Sequence, residues 1–396
     1  MPSEPEPDTP LIYLVAGEPS GDRLGARLMA ALIAETDGRI RFRGIGGEVM
    51  AEVGLQSRFP IAELAVMGLA EVLPRLPRLL RRIRETAEDI ERSHPAALVT
   101  IDAPDFSLRV ANLLRGRGIP LIHYVAPSVW AWKAHRARKM AAFLDRVMTL
   151  LPFEPPYFTA EGLPADFVGH PVIESGADKG DGSGFRTRHG ISADDKLVCL
   201  LPGSRMSEIS RLVPILRKTI GLMEHSHDNL TLVVPTVAHI AAPLRAMLAT
   251  WPQPPLMVTG EAAKFDAFAA ADVAIAASGT VALELAMAGT PSVIVYRMNP
   301  ITGWLARRLV KLKYTSLVNL LLDEEILPEL LLENCRPERI AAAAEQLLSD
   351  QDAVQYQRMR SKQALAQLAP DGIAPSIAAA RIVLDVIKKA GSKEPA

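Results

Sequence analysis

The sequence predicts an α/β fold in which two tandem Rossmann-like domains precede a helical C-terminal segment. Short apolar runs of strand length alternate with amphipathic stretches of helical length along most of the 396 residues. The alternation breaks once, between residues 175 and 196, where the chain is polar and rich in glycine, and then starts again. A chain of this length also exceeds one comfortable hydrophobic core. We therefore expect two domains that face each other across a cleft, with ligands at the carboxyl ends of both sheets.

Each half of the chain supplies its own predicted strands. Continuous apolar runs are typical of strands that are buried on both faces of a parallel sheet. They lie at 11–16, 96–101, 121–125 and 147–151, and again at 197–201, 230–234, 272–276 and 291–295. The predicted organisation is a disordered tail at 1–10, a first domain at 11–174, a linker at 175–196, a second domain at 197–348, and C-terminal helices at 349–396 that pack back on an N-terminal domain.

Composition excludes several classes of protein. The 44 Lys and Arg residues balance 45 Asp and Glu residues, so no overall positive charge indicates nucleic-acid binding. The two cysteines, Cys199 and Cys335, lie too far apart in sequence to indicate a disulfide framework or a structural zinc site. The first ten residues are acidic and rich in proline, unlike a signal peptide, and no apolar run is long enough to span a bilayer. These features predict a cytoplasmic protein.

Two turns in the second half are suited to binding anions. Ser278, Gly279 and Thr280 follow a buried strand and begin a helix, so their backbone N–H groups point outward. Glu284 lies one helical turn further on, where its carboxylate could accept hydrogen bonds from a ribose. The other strand-end turn has the residues Gly203, Ser204 and Arg205. An ordinary helix start explains each turn alone, but two such turns in one domain favour a nucleoside diphosphate.

The first half carries two further strand-end turns. Glu18 and Ser20 follow the first strand, but the glycine spacing does not match the dinucleotide fingerprint, so a nicotinamide site is disfavoured. Ser20 or Asp22 could cap the next helix. Asp102 closes another apolar strand, where a carboxylate has no obvious structural purpose, and a catalytic role is favoured over a capping role.

Residues close to Asp102 have simpler explanations. Pro104 can begin a helix whose N-terminus Asp105 stabilises. His123 lies inside a predicted strand and is expected to be a hydrogen-bonded core residue. Trp130 and Trp132 are as consistent with core packing as with ligand contact.

Two segments combine cationic and apolar side chains. Leucines alternate with arginines between residues 73 and 84, and a similar pattern recurs between Trp304 and Lys313, including Arg307, Arg308 and Lys311. Two interpretations explain these segments equally well. One is a solvated helix face, and the other is contact with an anionic membrane or an acylated substrate. The residues assigned to the second alternative are Met67, Leu73, Arg75, Leu76, Arg78, Leu79, Arg81 and Arg82.

Metal binding is poorly supported by the sequence. The Asp350–Asp352 pair lies in a helix-capping context, and His225 and His227 lie in a polar segment. Neither pair follows a predicted strand. We therefore predict that helix dipoles and arginine stabilise the charge of a leaving group without a metal ion.

These motifs together resemble the lipid-A-disaccharide synthase family, whose members are glycosyltransferases of the GT-B fold. The matching stretches are specific and follow one another in order over most of the chain. They lie at 16–22, 65–68, 101–106, 123–132, 151–154, 168–171, 201–205, 277–280 and 316–321.

The resemblance implies an inverting transfer of 2,3-diacylglucosamine from its UDP derivative to 2,3-diacylglucosamine 1-phosphate. It also implies no cofactor, peripheral association with the inner face of the cytoplasmic membrane, and a possible homodimer. Asp102 would be the general base, and Glu18 and Ser20 would line the sugar or acceptor side. The donor would be held by Gly203, Ser204, Arg205, Ser278, Gly279, Thr280, Glu284 and Asn319.

Two alternatives remain open at this point. A UDP-sugar epimerase shares the two-domain fold and the nucleotide half, but it needs no surface for acyl chains. A non-catalytic, membrane-bound sensor would bind the nucleotide sugar without turnover. Release of UDP that depends on an acylated acceptor distinguishes the transferase from both.

Overall fold

The computed structural model describes residues 9–64, 69–130, 135–227, 229–299 and 313–392, with the side chains of 69–75 left out. The chain divides into two compact units. The first unit comprises Met1–Pro171 and Leu368–Ala396, and the second comprises Val172–Gln367. Each unit contains one six-stranded sheet in which all neighbouring strands run parallel. The predicted pair of α/β domains is therefore present.

The sheet of the first unit has the strand order β2-β1-β3-β4-β5-β6. Its strands are β1 (Leu11–Ala16), β2 (Arg41–Ile45), β3 (Ala97–Ile101), β4 (Leu121–Tyr124), β5 (Arg146–Thr149) and β6 (Ala165–Phe167). The helices around it are α1 (Pro19–Glu35), α2 (Glu48–Glu52), α3 (Leu69–Ser93), α4 (Pro104–Leu113), α5 (His135–Ala141) and α6 (Pro155–Thr159).

The sheet of the second unit has the order β12-β11-β10-β7-β8-β9. Its strands are β7 (Lys196–Leu201), β8 (Leu230–Thr236), β9 (Leu256–Thr259), β10 (Val273–Ala277), β11 (Ser292–Tyr296) and β12 (Glu329–Leu331). The later helices are α7 (Gly182–His189), α8 (Met206–Met223), α9 (Ala238–Leu248), α10 (Glu261–Ala270), α11 (Val281–Ala288), α12 (Leu317–Leu322), α13 (Pro337–Ser349), α14 (Gln351–Ala366) and α15 (Pro375–Gly391).

The central strands are buried on both faces, as their continuous apolar sequences predict. All five residues of β3 and of β10 are buried. In the first unit, one apolar cluster packs α1 and α15 against one face of the sheet, and a second packs α3 and α4 against the other. Helices on both faces leave the carboxyl edge of the sheet as the place where strand-end loops gather.

The segment 175–196 and the C-terminal region are structured. Asp181 caps α7 through a hydrogen bond from Gly184 N to its carboxylate, and α7 packs on α10. Near the C-terminus, α14 belongs to the second unit and α15 to the first. Arg381 of α15 forms a bidentate ion pair with Glu35 of α1, with both N–O distances at 3.1 Å. The units therefore divide after Pro171 and Gln367.

Candidate active site

In the first unit, the loops after β1 and β3 lie side by side at the carboxyl edge of the sheet. The two strands are neighbours, and Ala16 pairs with Ile101, the last residue of β3. The β1 loop begins α1 with Pro19 in its first turn, and the β3 loop begins α4 in the same way with Pro104. Parallel strands therefore bring Ser20 and Asp102 together, although 82 positions separate them in sequence.

Asp102 is a partly buried carboxylate within a strained turn. Its Oδ1 accepts a hydrogen bond from Ala103 N at 2.8 Å, and Ser20 donates another from its hydroxyl. Burial raises the pKa of Asp102 above its ordinary value, and these two hydrogen bonds partly oppose the effect. Asp102 and Ala103 have φ values of 49° and 45°, in the left-handed region that non-glycine residues rarely adopt. Such strain is concentrated at functional sites.

The turn at Asp102 depends on the glycine of the neighbouring loop. A Cβ atom on Gly17 would lie 2.5 Å from Cβ of Ala103. That distance is far shorter than a van der Waals contact. Gly17 is therefore needed for the two loops to approach each other, and this gives the β1 loop a structural purpose beyond ligand contact.

Asp22 was one of two candidates to cap α1, but in the structure its side chain does not cap this helix. Its buried carboxylate instead accepts hydrogen bonds from three backbone N–H groups at the start of α2, those of Gly47, Val49 and Met50, at 2.7–3.1 Å. A carboxylate placed there satisfies N–H groups that have no partner within the helix. Asp22 thus joins the β1 loop to the glycine-rich turn that follows β2.

A cavity of about 560 Å³ adjoins this pair of loops within the first unit. Its wall includes Gly17 and Glu18 of the β1 loop and Ala103 of the β3 loop. Four residues that the sequence analysis assigned to membrane or acyl contact also line it, namely Leu76, Arg78, Leu79 and Arg82. The structure therefore brings part of that basic and apolar segment next to the turn that holds Asp102.

The arginines of α3 are less free than their sequence suggests. Glu63 pairs with Arg78 and Arg82, and Glu85 pairs with Arg81 and Arg82. These acids neutralise much of the positive charge that the sequence places between residues 73 and 84. Of the other residues assigned to this contact, Met67 lies outside the described residues, and the side chains of Leu73 and Arg75 are not described. Trp304, Arg307, Arg308 and Lys311 also lie outside them.

In the second unit, the two anion-suited turns follow neighbouring strands. Leu201, the last residue of β7, pairs with Ala276 of β10. The turn of Gly203, Ser204 and Arg205 therefore lies beside the turn of Ser278, Gly279 and Thr280 at the carboxyl edge. Most of these residues are exposed, and Gly203 and Ser278 are partly buried. The two turns are therefore close enough in the sheet to contribute to one diphosphate site.

Glu208 folds back over the first of these turns. Its Oε2 accepts a hydrogen bond from Ser204 N at 3.1 Å, and its Oε1 pairs with Nη1 of Arg205 at 3.2 Å. Gly203 has a φ of 115°, and a Cβ atom there would lie 2.4 Å from Oε2 of Glu208. Glu208 was not among the site residues predicted from the sequence. Its position two residues after the start of α8 is typical of a capping residue and could have indicated this role.

Glu284 carries an ion pair that the sequence did not predict. Both carboxylate oxygens accept hydrogen bonds from Nζ of Lys264, at 2.9 and 3.0 Å. Lys264 lies on α10, and its ammonium group is 4.6 Å from the centre of the Phe265 ring. A carboxylate has about four acceptor positions, so a ribose hydroxyl can still donate to Glu284 beside Lys264.

Asn319 differs from the other predicted donor residues because its side chain is fully engaged within the second unit. It is completely buried. Its Oδ1 accepts from Ile326 N and Leu327 N, and its Nδ2 donates to Leu327 O and Glu329 Oε1. Asn319 therefore holds the loop between α12 and β12, and no donor or acceptor remains for direct contact with a ligand.

His123 lies in the core, and Trp130 is partly buried. His123 is fully buried, and its Nδ1 lies 2.8 Å from the hydroxyl of Thr100. Its Nε2 has no hydrogen-bond partner among the described residues, and burial lowers its pKa to about 4. Nε1 of Trp130 donates to buried Glu154 at 2.9 Å. Trp132 lies outside the described residues.

The described residues contain no group of three or more His, Cys, Asp or Glu side chains placed to hold a metal ion. Asp350 caps α14, and His227 pairs with Glu345 at 2.7 Å. Within the same described ranges, no helix has the length and apolar character needed to cross a membrane.

Comparison with known families identifies one that covers nearly the whole chain. The model of the lipid-A-disaccharide synthetase family matches residues 12–380. The lipid-A-disaccharide synthase of Rhodospirillum centenum is 51% identical over 381 residues, which cover 96% of this chain and 95% of the relative. The enzyme of the same name from Paramagnetospirillum magneticum is 50% identical, with 96% and 98% covered.

Solved structures confirm the GT-B fold at low sequence identity. A UDP-GlcNAc 2-epimerase from Neisseria meningitidis bound to UDP-GlcNAc has a TM-score of 0.58 at 11% identity, covering 96% of this chain and 100% of that chain. MurG from Acinetobacter baumannii has a TM-score of 0.52 at 16% identity, covering 96% and 99%. These likenesses show the fold alone. The family match and the relatives at about half identity show the family as well. The chain belongs to the lipid-A-disaccharide synthase family of glycosyltransferases.

Proposed function

We propose that this protein transfers 2,3-diacylglucosamine from UDP-2,3-diacylglucosamine to 2,3-diacylglucosamine 1-phosphate. The products are the β-1,6-linked disaccharide 1-phosphate and UDP. The observation that carries the proposal is the family match over residues 12–380. The strand-end carboxylate of the first unit and the paired anion-suited turns of the second supply groups that such a transfer requires.

Asp102 is the proposed general base. The oxygen of the acceptor's 6-hydroxyl attacks the anomeric carbon of the donor, its proton passes to the Asp102 carboxylate, and the bond to UDP breaks. A single displacement of this kind inverts the anomeric centre. Burial raises the pKa of Asp102 above that of an exposed aspartate, which makes it a stronger base. Ser20 and Ala103 N hold the carboxylate in place.

The donor nucleotide is assigned to the second unit. Backbone N–H groups of the turns after β7 and β10 and the guanidinium of Arg205 bind the diphosphate. Glu284 accepts hydrogen bonds from the ribose while Lys264 limits the cost of its negative charge. Asn319 acts indirectly in this proposal, as a positioning residue for the loop before β12.

The proposal is tested by incubating the protein with both acylated glucosamine substrates and determining the mass of the product. We expect a disaccharide monophosphate and one UDP per molecule formed. An epimerase would change the donor without the acceptor, and a sensor would bind UDP without turnover. Either result would contradict the proposed transfer.

We further propose that the protein acts at the inner face of the cytoplasmic membrane, because both substrates carry acyl chains. Leu80 of α3 is 39% exposed, and Arg78 and Arg81 expose 59% and 65% of their side chains. Exposed apolar and cationic groups on one helix suit an anionic lipid surface. The pairing of these arginines with Glu63 and Glu85 reduces the electrostatic attraction, so we expect weak, salt-sensitive binding.

Membrane binding is tested by sedimentation with anionic vesicles at low salt. We expect the double variant Arg78→Ser and Arg81→Ser to bind less than the wild type. The matched control, Arg39→Ser with Arg115→Ser, removes two exposed arginines elsewhere in the first unit and is expected to bind normally. Equal losses in both variants would indicate a general charge effect rather than contact through α3. A homodimer remains a prediction that analytical ultracentrifugation tests.

A further inference from the structure

The cavity beside Asp102 has a wall on α4, and one residue of this wall, Arg109, belongs to none of the sequence motifs and has no role in the proposed reaction. Arg109 lies on this helix and lines the cavity together with Phe106. Its side chain is exposed. The cavity volume of about 560 Å³ lies in the range of small-molecule sites.

The three arginines of this cavity differ in their partners. Arg78 pairs with Glu63 at 3.1 Å, and Arg82 pairs with Glu63 at 2.9 Å and with Glu85 at 2.8 Å. Arg109 forms no ion pair with any residue that the structure describes. A guanidinium without a carboxylate partner is free to bind a ligand anion with two parallel hydrogen bonds. Arg109 is therefore the cation of this wall that an incoming anion can engage without breaking an existing pair.

The position of Arg109 along α4 fits the dimensions of the acceptor. Helix α4 starts directly after Ala103, and six residues at about 1.5 Å each place Arg109 roughly 9 Å further along the axis. Helical side chains point back toward the N-terminus, so the guanidinium reaches toward the Asp102 end. In a hexosamine 1-phosphate, C5, which carries the 6-hydroxymethyl group, and C1, which carries the phosphate, both adjoin the ring oxygen, so the hydroxyl and the phosphate lie along one edge of the sugar. With the hydroxyl at Asp102, the phosphate therefore lies toward the Arg109 guanidinium, which the lean of the side chain brings closer to Asp102 than its position on the helix axis.

We propose that Arg109 binds the anomeric phosphate of the acceptor and is a specificity-determining residue that selects phosphorylated acceptors. This inference rests on the proposed reaction and adds a subsite to it. Apolar side chains that line the same cavity, Leu76 and Leu79 of α3 and Phe106 of α4, receive the first part of an acyl chain. The subsite thus recognises an anion and an apolar chain on one sugar.

The test compares the natural acceptor with the same diacylglucosamine lacking its phosphate. For Arg109→Gln we expect the KM for the phosphorylated acceptor to rise by about 10- to 100-fold, the usual contribution of a charge-assisted pair. The KM for the donor, the kcat at saturation and the rate with the unphosphorylated acceptor are expected to stay within about twofold. Arg109→Lys retains the charge and should restore part of the preference.

Arg115→Gln is the control, because Arg115 is another exposed arginine that follows α4 and does not line the cavity. Its kinetics are expected to match the wild type, and thermal unfolding of each variant establishes that it is folded. A wild-type preference for the phosphorylated acceptor that persists in Arg109→Gln overturns the proposal. So does a wild-type enzyme that uses both acceptors equally. Absence of any disaccharide from the wild type would instead contradict the proposed reaction itself.

Discussion

The strand-end sites of the two units differ in how their charged groups are balanced. In the first unit, Asp102 is partly buried in a left-handed turn, receives hydrogen bonds from neutral donors, and has a raised pKa. In the second unit, Arg205 and Glu284 already have partners of opposite charge, Glu208 and Lys264. A partly buried carboxylate that receives hydrogen bonds from neutral groups is suited to accept a proton, whereas ion pairs in and beside the strand-end turns are suited to exchange partners with a charged ligand. This difference supports the proposal that the chemistry takes place in the first unit and donor binding in the second.

The largest effect is expected from removing the proton acceptor of the first unit. Asp102→Asn keeps the size of the side chain but cannot take a proton at neutral pH. We expect kcat to fall by about 10²- to 10⁴-fold, the usual contribution of a general base. Steady-state turnover is the measurement. Asp37→Asn is the control, because Asp37 is an exposed aspartate of the first unit that does not line the cavity, and near-normal turnover of Asp102→Asn would remove it from the mechanism.

The next prediction concerns acid stability of the first unit, which contains buried His123 with a pKa of about 4 in the folded chain. An unfolded imidazole has a pKa of about 6.5, so the unfolded chain binds the proton more readily. The free energy of unfolding is therefore expected to fall as the pH is lowered from about 6.5 to about 4, by up to about 3 kcal/mol from this residue. Denaturant titrations over this pH range measure the loss.

His123→Asn should flatten that pH dependence, even if it lowers stability at neutral pH. The exposed imidazole of His225 in the second unit provides the control, and His225→Asn is expected to keep the wild-type slope. An unchanged slope in His123→Asn would show that other groups, such as His170 with its pKa also lowered to about 4 by burial, cause the acid sensitivity.

A smaller effect is expected from Arg205→Ala in the second unit. Loss of a charge-assisted contact with the diphosphate should weaken UDP binding by about 10- to 100-fold. Calorimetric titration with UDP gives the Kd directly. Arg211→Ala changes an exposed arginine on α8, the helix that follows Arg205, and should leave the Kd unchanged. Wild-type affinity in Arg205→Ala would mean that the turn after β7 does not hold the diphosphate.

The smallest effect is expected from a single methyl group in the first unit. Gly17→Ala forces Cβ into the space of Ala103, and such overpacking typically costs about 1–3 kcal/mol of stability. We also expect lower turnover because the Asp102 turn must shift. Gly221→Ala is the matched control on α8, where nothing lies within 4 Å, and it should be neutral or stabilising. If urea unfolding shows that both substitutions lower the free energy of unfolding alike, overpacking at Gly17 is not the cause.

The sequence predicted the central strands well and missed the outer ones. The eight predicted runs correspond to strands that have neighbours on both sides or lie near the middle of their sheets. The four missed strands are β2, β6, β9 and β12, and β6 and β12 have only three residues each. These outer strands are partly exposed, so their sequences lack the continuous apolar run that marks a strand buried on both faces.

The candidate site shows a similar limit. The strand-end positions of Ser20, Asp102 and the two turns of the second unit were predicted from the sequence, and the structure adds that β1 pairs with β3 and β7 with β10. The partners Lys264 and Glu63 approach from other elements, and nothing in their local sequence indicates which residues they contact. Asn319 was assigned by family pattern, and only the structure shows that four hydrogen bonds occupy its side chain.

The separation of chemistry from donor binding is tested most directly by the UDP affinity of Asp102→Asn. Calorimetric titration of this variant should give a Kd within about twofold of the wild type, because Asp102 belongs to the first unit and the donor turns belong to the second. That result, together with the loss of turnover, would assign Asp102 to chemistry alone. A Kd that rises in parallel with the loss of turnover would show that Asp102 helps to hold the donor, and would contradict the division of roles between the units.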